Sequence, residues 1–170
     1  MSLALPIETP RLILREKCLD DAPFLLELNS DPEVTRYTGD GPFSNLAEAE
    51  AIVRYVQEQY TLNGYGRWLV SLKETGESIG WCGLKYHADS GDTDLGYRFL
   101  QKHWGKGYAT EAGRACLEYG FRVALLSRII GRADKENAAS VNVLKKLGMT
   151  FYANDFLDRS PAYIYHILKD

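Results

Sequence analysis

Short apolar runs bounded by turn residues alternate along the chain with longer segments whose apolar positions recur at helical spacing. Arg11-Leu12-Ile13-Leu14-Arg15, after Pro10, reads as a first strand. Asp20 can cap a helix over 20–28 that stops before Asp31-Pro32. Gly39, Gly41 and Pro42 mark 35–45 as a loop, and Ser44 or Asn45 can cap a helix over 46–62 that Asn63-Gly64 ends. Strands at 67–73 and 78–86 flank the hairpin turn Glu74-Thr75-Gly76-Glu77. After a turn at 88–92, a fourth strand spans 93–100 and a long helix 106–125. Ala112, Cys116, Gly120 and Ala124 form a stripe of small residues on that helix, which lets its backbone approach a sheet closely. A fifth strand at 128–133, a helix at 137–147 closed by Gly148, and strands at 149–156 and 162–168 complete the chain. Antiparallel neighbours surround one or two β-α-β crossovers. This pattern predicts a single α/β (α+β) domain over 7–169, with helices on both faces of a mixed, mostly antiparallel sheet of about seven strands.

Composition narrows the class. With 170 residues, 45% of them apolar, and a net charge of −3, the chain can bury a core without disulfide or metal staples. The mild acidity argues against a nucleic-acid binder. Cys18, Cys82 and Cys116 are odd in number and widely spaced, which suits a reduced compartment, and neither they nor His87, His103 and His166 show metal-ligand spacing. The absence of an 18-residue apolar run or a charged leader predicts a cytoplasmic protein with no membrane partner.

The chemistry-bearing stretch is Gly96-Tyr97-Arg98-Phe99-Leu100, then Gln101-Lys102-His103-Trp104, then Gly105-Lys106-Gly107-Tyr108-Ala109-Thr110-Glu111. A strand runs through a glycine turn into a long helix, whose first N–H groups lack intrahelical partners and sit at the positive end of the dipole. Gly105 and Gly107 let a phosphate approach the backbone, and Lys102 and Lys106 add charge, so the turn is a candidate pyrophosphate cradle. Thr110 occupies the third-glycine position of a dinucleotide fingerprint, no acid follows at 126–130, and no P-loop is present. The cradle is therefore not built for NAD or ATP.

These motifs, with Asn137-x-x-Ser140 and Lys146-Leu147-Gly148-Met149, resemble the GNAT acetyltransferase superfamily. The opening Thr9-x-Arg11-Leu12-Ile13-Leu14-Arg15 and Asp31-Pro32-Glu33-Val34 resemble its branch of ribosomal-protein N-terminal acetyltransferases. The resemblance implies acetyl-CoA as co-substrate, no metal, and a sheet splayed between the fourth and fifth strands. It implies a pyrophosphate loop Lys102-x-x-Gly105-x-Gly107, with Lys in place of the usual Arg or Gln. Trp104, Lys106, Tyr108, Ala109 and Thr110 belong to the same loop and helix start. Backbone groups near Tyr97, Phe99 and Leu100 would pair with the pantetheine arm as an added strand does.

The implied reaction is attack of a neutral primary amine, a peptide N-terminus or a small amine, on the thioester. A backbone N–H around Tyr97 would act as oxyanion donor. The position of the usual tyrosine proton donor holds Leu144, and the ribosomal-protein branch places a serine at Ser140 instead. Ser140 also fits a first-turn residue bonding local backbone. Asn137 fits an N-cap as well as a contact to the thioester region. Asp94 stands where relatives carry a base, and equally fits an exposed strand carboxylate. Glu111 fits a first-turn acid against the dipole. The acceptor would enter between the 29–46 region and the 155–161 loop, where Asp31, Glu33, Asp40, Asp155 and Asp158 would suit a cationic amine. A non-catalytic acyl-CoA-binding regulator on the same fold is the alternative, and the oligomeric state, a homodimer included, is left open.

Overall fold

A computed structural model describes residues 4–170. The strands are β1 (Ile7–Glu8), β2 (Leu12–Arg15), β3 (Arg67–Leu72), β4 (Ser78–His87), β5 (Asp92–Phe99), β6 (Arg128–Asp134), β7 (Thr150–Leu157) and β8 (Ser160–Leu168). The helices are α1 (Ala22–Ser30), α2 (Pro32–Thr35), α3 (Leu46–Asn63), α4 (Tyr108–Arg122) and α5 (Ala138–Lys146). The strands form one sheet in the order β1-β2-β3-β4-β5-β6-β8-β7. All neighbours are antiparallel except β5 and β6. The eighth strand is the two-residue β1, and part of the expected 35–45 loop region abuts the short helix α2, which Asp31 caps through Glu33 N–H at 2.9 Å.

The fourth and fifth strands of the sequence reading are β5 and β6, and they touch at a single register pair, Asp94 with Ile130. Beyond that pair the strands diverge. The bonding pattern shows where the freed groups go. Leu100 N–H donates to Ile79 O at 2.9 Å, and Gly80 faces Phe99 in the β4–β5 register. Bonds in an antiparallel pair alternate, so the backbone groups of Tyr97 and Phe99 turn away from β4 and into the opening.

The small stripe on α4 is packed against the sheet: Ala112 and Cys116 are fully buried, and a Cβ on Gly120 would come within 2.6 Å of Ile129 Cδ1. The helix begins two residues later than the sequence suggested because Gly105 and Gly107 both adopt positive φ, 75° and 83°, and Gly107 is the N-cap. It ends at Arg122 rather than 125, where Leu125 itself takes a positive φ of 57°. One core lies between the sheet and α4 with α5. A second, smaller cluster joins α1 and α3 around Leu25, Leu28 and Val53.

Candidate active site

The divergence of β5 and β6 opens into a cleft of about 730 Å³. One flank carries Trp104, Gly105, Gly107, Tyr108, Ala109 and Thr110; another carries Asn137, Ser140, Val143 and Lys146; a third carries Glu33, Tyr37, Thr38, Trp81, Arg98 and Leu157. Tyr97 and Phe99 line the cleft between them. The structure thus gathers three segments that are far apart in sequence.

Gly107 contributes no side-chain cap to α4, whose first intrahelical acceptor is Gly107 O, bound by Glu111 N–H at 3.0 Å. The N–H groups of 108–110 precede that bond and form the positive end of the helix beside the glycines. Glu111 does more than complement the dipole. It accepts from Thr9 Oγ1 at 2.5 Å, Arg11 N–H at 2.9 Å and Arg11 Nε at 2.7 Å, tying the turn between β1 and β2 to the helix start. Burial alone would raise the Glu111 carboxyl, but these donors hold it below its ordinary value. Arg11 also donates to Lys106 O at 2.9 Å and stacks over Tyr108, 4.5 Å from the ring centre. Arg11 thus brings a cation beside the second glycine, a placement that only the packing of the β1–β2 turn on the start of α4 creates.

Two of the expected donors lie elsewhere. Lys102 is exposed and paired with Glu77 Oε1 at 2.9 Å, and Lys106 does not line the cleft. Of this stretch the glycines, not the lysines, line the cleft. Leu100 is likewise not available as a pantetheine partner. Its N–H is bound to Ile79 O, its carbonyl accepts from His103 N–H at 2.9 Å, and its side chain is buried with α1 and α3. The Phe99 carbonyl does face the opening but already accepts from Trp104 Nε1 at 2.8 Å.

Asn137 caps α5 by accepting from Ser140 N–H at 3.2 Å, and it lines the cleft as well. Across the opening, the Tyr97 hydroxyl lies 2.8 Å from Ser140 Oγ and 3.1 Å from Ser140 O, two acceptors for its single proton. Burial pushes the Tyr97 phenol well above its usual range, so it stays protonated. Leu144 lies in the core, where Gly131 makes room for it. The resemblance gave Tyr97 a role through its backbone only. Its hydroxyl proves to bind the candidate serine, a pairing between β5 and α5 that no local pattern announces.

Asp94 is not an exposed carboxylate. It is buried at 8% exposure, with Oδ1 at 2.7 Å from Arg67 Nη2 and Oδ2 at 2.9 Å from His87 Nε2. Burial works to raise its carboxyl, but the Arg67 charge and the His87 hydrogen bond overcome that and hold it far below the usual carboxylate range. A carboxylate so stabilised is a poor proton acceptor at neutral pH. Arg67 also donates to Gly83 O and Asp94 O, and its guanidinium lies flat beneath Gly96, where a Cβ would sit 2.7 Å from its Cζ. Glycine at 96 is what lets this buried cation support the middle of β5.

The acceptor side departs from the expected acidic wall. The 39 and 158 segments do meet, a Cβ on Gly39 lying 3.1 Å from Asp158 Cβ, and Glu33 lines the cleft. Asp155 is instead 3.4 Å from Arg132 Nε and Asp40 is 3.5 Å from Arg98 Nη1. Trp81 and Arg98 were not singled out from the sequence as a pair. They are cross-strand partners, and Arg98 follows Gly96 by two along β5, which puts both on the face opposite Tyr97. Among the described residues no group of histidine, cysteine and carboxylate side chains could hold a metal ion, and no helix is long and apolar enough to cross a membrane.

Residues 11–150 match the acetyltransferase (GNAT) domain family. The chain is 36% identical over 140 residues to the uncharacterized N-acetyltransferase p20 of Bacillus licheniformis, covering 82% of this chain and 79% of that one. A GNAT-family acetyltransferase from Bacillus anthracis superposes with a TM-score of 0.82 at 27% identity, covering 95% of this chain and 97% of that one. The RimL ribosomal L7/L12 α-N-protein acetyltransferase in complex with coenzyme A shares the fold at a TM-score of 0.82 and 16% identity, over 96% and 97% of the two chains.

Proposed function

This chain belongs to the GNAT acetyltransferase family, and on that premise we propose that it transfers the acetyl group of acetyl-CoA to a primary amine, directly, with both substrates in the one cleft. The observation that carries this reading is the opening between β5 and β6, into which Tyr97 and Phe99 turn their backbone groups and at whose end the Gly105–Gly107 turn opens α4. The residues fit the co-substrate. The α-positioned glycines leave the phosphate approach clear, since a Cβ at Gly105 would meet nothing within 4 Å and one at Gly107 only Arg11 Nη2 at 3.4 Å. The N–H groups of 108–110 with Gly105 and Gly107 hold the diphosphate. Lys146 lines the same cleft and adds positive charge there.

A thioester supplies an activated acyl carbon and a thiolate leaving group. The chain's residues do the rest. The Tyr97 N–H, turned into the opening, donates to the carbonyl oxygen as charge gathers on it; one such donor is worth about 3 kcal/mol. With the Tyr97 hydroxyl donating to Ser140 Oγ at 2.8 Å, the serine keeps its own proton for a hydrogen bond to the departing sulfur, and the proton the amine loses as the C–N bond forms and the C–S bond breaks ends on the released thiol. A thiolate with a pKa near ~8.5 needs only such a hydrogen bond to leave at neutral pH. Asn137 orients Ser140 through the cap of α5. Asp94 holds Arg67 under Gly96 and takes no proton from the amine.

The test is direct. Acetyl-CoA should raise the melting temperature of the protein, and thiol release should appear with an amine from a panel of small amines and peptides with free N-termini. Absence of any thermal shift with acetyl-CoA would overturn the reading.

A further inference from the structure

One buried and two largely buried basic side chains surround one indole, that of Trp81 in the cleft lining. Lys17 Nζ lies 4.9 Å from the centre of the Trp81 ring, Arg98 Cζ 5.3 Å and Arg67 Cζ 5.4 Å. Taking charge out of water is costly unless a counter-charge accompanies it. Arg67 has its counter-charge in buried Asp94. Among the described residues no carboxylate lies within ion-pair distance of Lys17, while the nearby Asp21 is committed to Arg15 at 2.7 Å. Lys17 has an escape, because burial draws its pKa down to about 7 and it can shed its proton. Arg98 has none. A guanidinium keeps its charge at neutral pH even where burial lowers its pKa.

Arg98 is also poorly matched by its own protein. Its side chain is 12% exposed and lines the cleft. Nη1 is bound to Asn29 Oδ1, a neutral acceptor, and lies 3.5 Å from Asp40, whose side chain is 51% exposed. Its buried Nε–H has no partner. The Nε–H is sealed from the cavity, but Nη2 has no hydrogen-bond partner either and is not sealed, so a planar guanidinium backed by Trp81 and lining the cleft can receive an anionic oxygen there.

We infer that Arg98 is an acceptor subsite for a carboxylate, so that the amine substrate is a small amino acid carrying its carboxylate close to the reacting amine. This rests on the transferase reading and names the substrate class of the same cleft. Glu33, whose side chain is 54% exposed, brings a carboxylate to the cleft lining, whereas the Arg98 side chain there is 12% exposed. That arrangement suits a molecule bearing both charges and disfavours a polyamine, whose second cation would meet Arg98.

The experiment uses the whole chain with acetyl-CoA and three matched sets of acceptors: α-, β- and γ-amino acids, their carboxamides, and the corresponding decarboxylated amines. Acetyl-CoA binding is measured separately by thermal shift. At least one amino acid should show a kcat/KM about tenfold or more above that of its carboxamide. In Arg98→Gln that ratio should fall toward one, and Arg98→Lys should keep part of it. A general loss of folding would lower both substrates alike and leave the ratio, so the ratio reports the subsite alone. Wild-type preference for the carboxamides, for peptides with free N-termini or for spermidine, or a ratio unmoved in Arg98→Gln, would overturn the carboxylate subsite while leaving acetyl transfer standing. Failure of acetyl-CoA to bind, or binding with no turnover of any amine, would overturn the transferase reading and this one with it.

Discussion

Replacing Asp94 with asparagine separates the base role that the sequence allowed for it from the buried ion pair that the structure shows. Asn keeps the shape and one carbonyl oxygen but removes the charge that faces Arg67 at 2.7 Å. Both side chains are largely buried, Arg67 at 15% and Asp94 at 12% exposure. At an effective dielectric of about 20, a pair this close interacts by about 6 kcal/mol before desolvation is counted. Loss of one partner of a buried pair, leaving the other charge uncompensated, costs about 3–5 kcal/mol. For a chain of this size each kcal/mol moves the melting temperature by about 2–4 °C, so Asp94→Asn should melt on the order of 10 °C lower at pH 7. Its activity well below that temperature should fall only modestly, through loosened support under Gly96. The pH dependence has the matching sign. The Asp94 carboxyl sits lower in the folded chain than in the unfolded one, so its contribution is complete above pH ~4 and is lost as the pH falls below that. The wild type should therefore lose stability steeply on acidification, and Asp94→Asn should lose less over the same span. Urea titrations from pH 7 down to pH 3 and thiol-release kinetics on the same samples measure both. Unchanged stability together with a kcat reduced by about 10²-fold or more would refute the ion-pair account and restore Asp94 as the base.

Ser140→Ala should lower kcat by about tenfold or more while leaving the acetyl-CoA dissociation constant within about twofold, and Tyr97→Phe should follow it more weakly; equal turnover in Ser140→Ala would remove the hydroxyl from the reaction. Gly107→Val forces a β-branched residue to the φ of 83° and fills the phosphate approach, so calorimetry should find acetyl-CoA binding lost, and wild-type affinity would contradict the cradle. Lys17 has a folded pKa of about 7, below its unfolded value of about 10.4, so the unfolded chain binds the extra proton between these limits and stability should rise with pH from about 7 toward 10. Lys17→Met should flatten that rise and be more stable than wild type at pH 7 by on the order of 2 kcal/mol, read from denaturation midpoints at pH 7 and pH 9; a variant that tracks the wild type at both would refute it.

Local pattern determined most of the architecture. The capped start of α3 at Asn45, the Gly64 that ends it with a φ of 76°, and the small face of α4 are properties of neighbours in sequence. So is the strand, glycine turn and helix of 92–122, because backbone conformation there depends on the glycines themselves. Tertiary structure decided which groups the turn presents. Lys102 is drawn off by Glu77 from the preceding hairpin, and Arg11, just before β2, lies beside Gly107 instead. It also decided the charge states. Asp94 became a buried ion-paired carboxylate only because Arg67, 27 residues earlier, lies beneath Gly96. The bond between Tyr97 and Ser140 spans 43 residues, and the cations around Trp81 come from three different segments. Desolvation and ion pairing depend on what the folded chain brings within a few ångströms, and no period along the sequence encodes that distance.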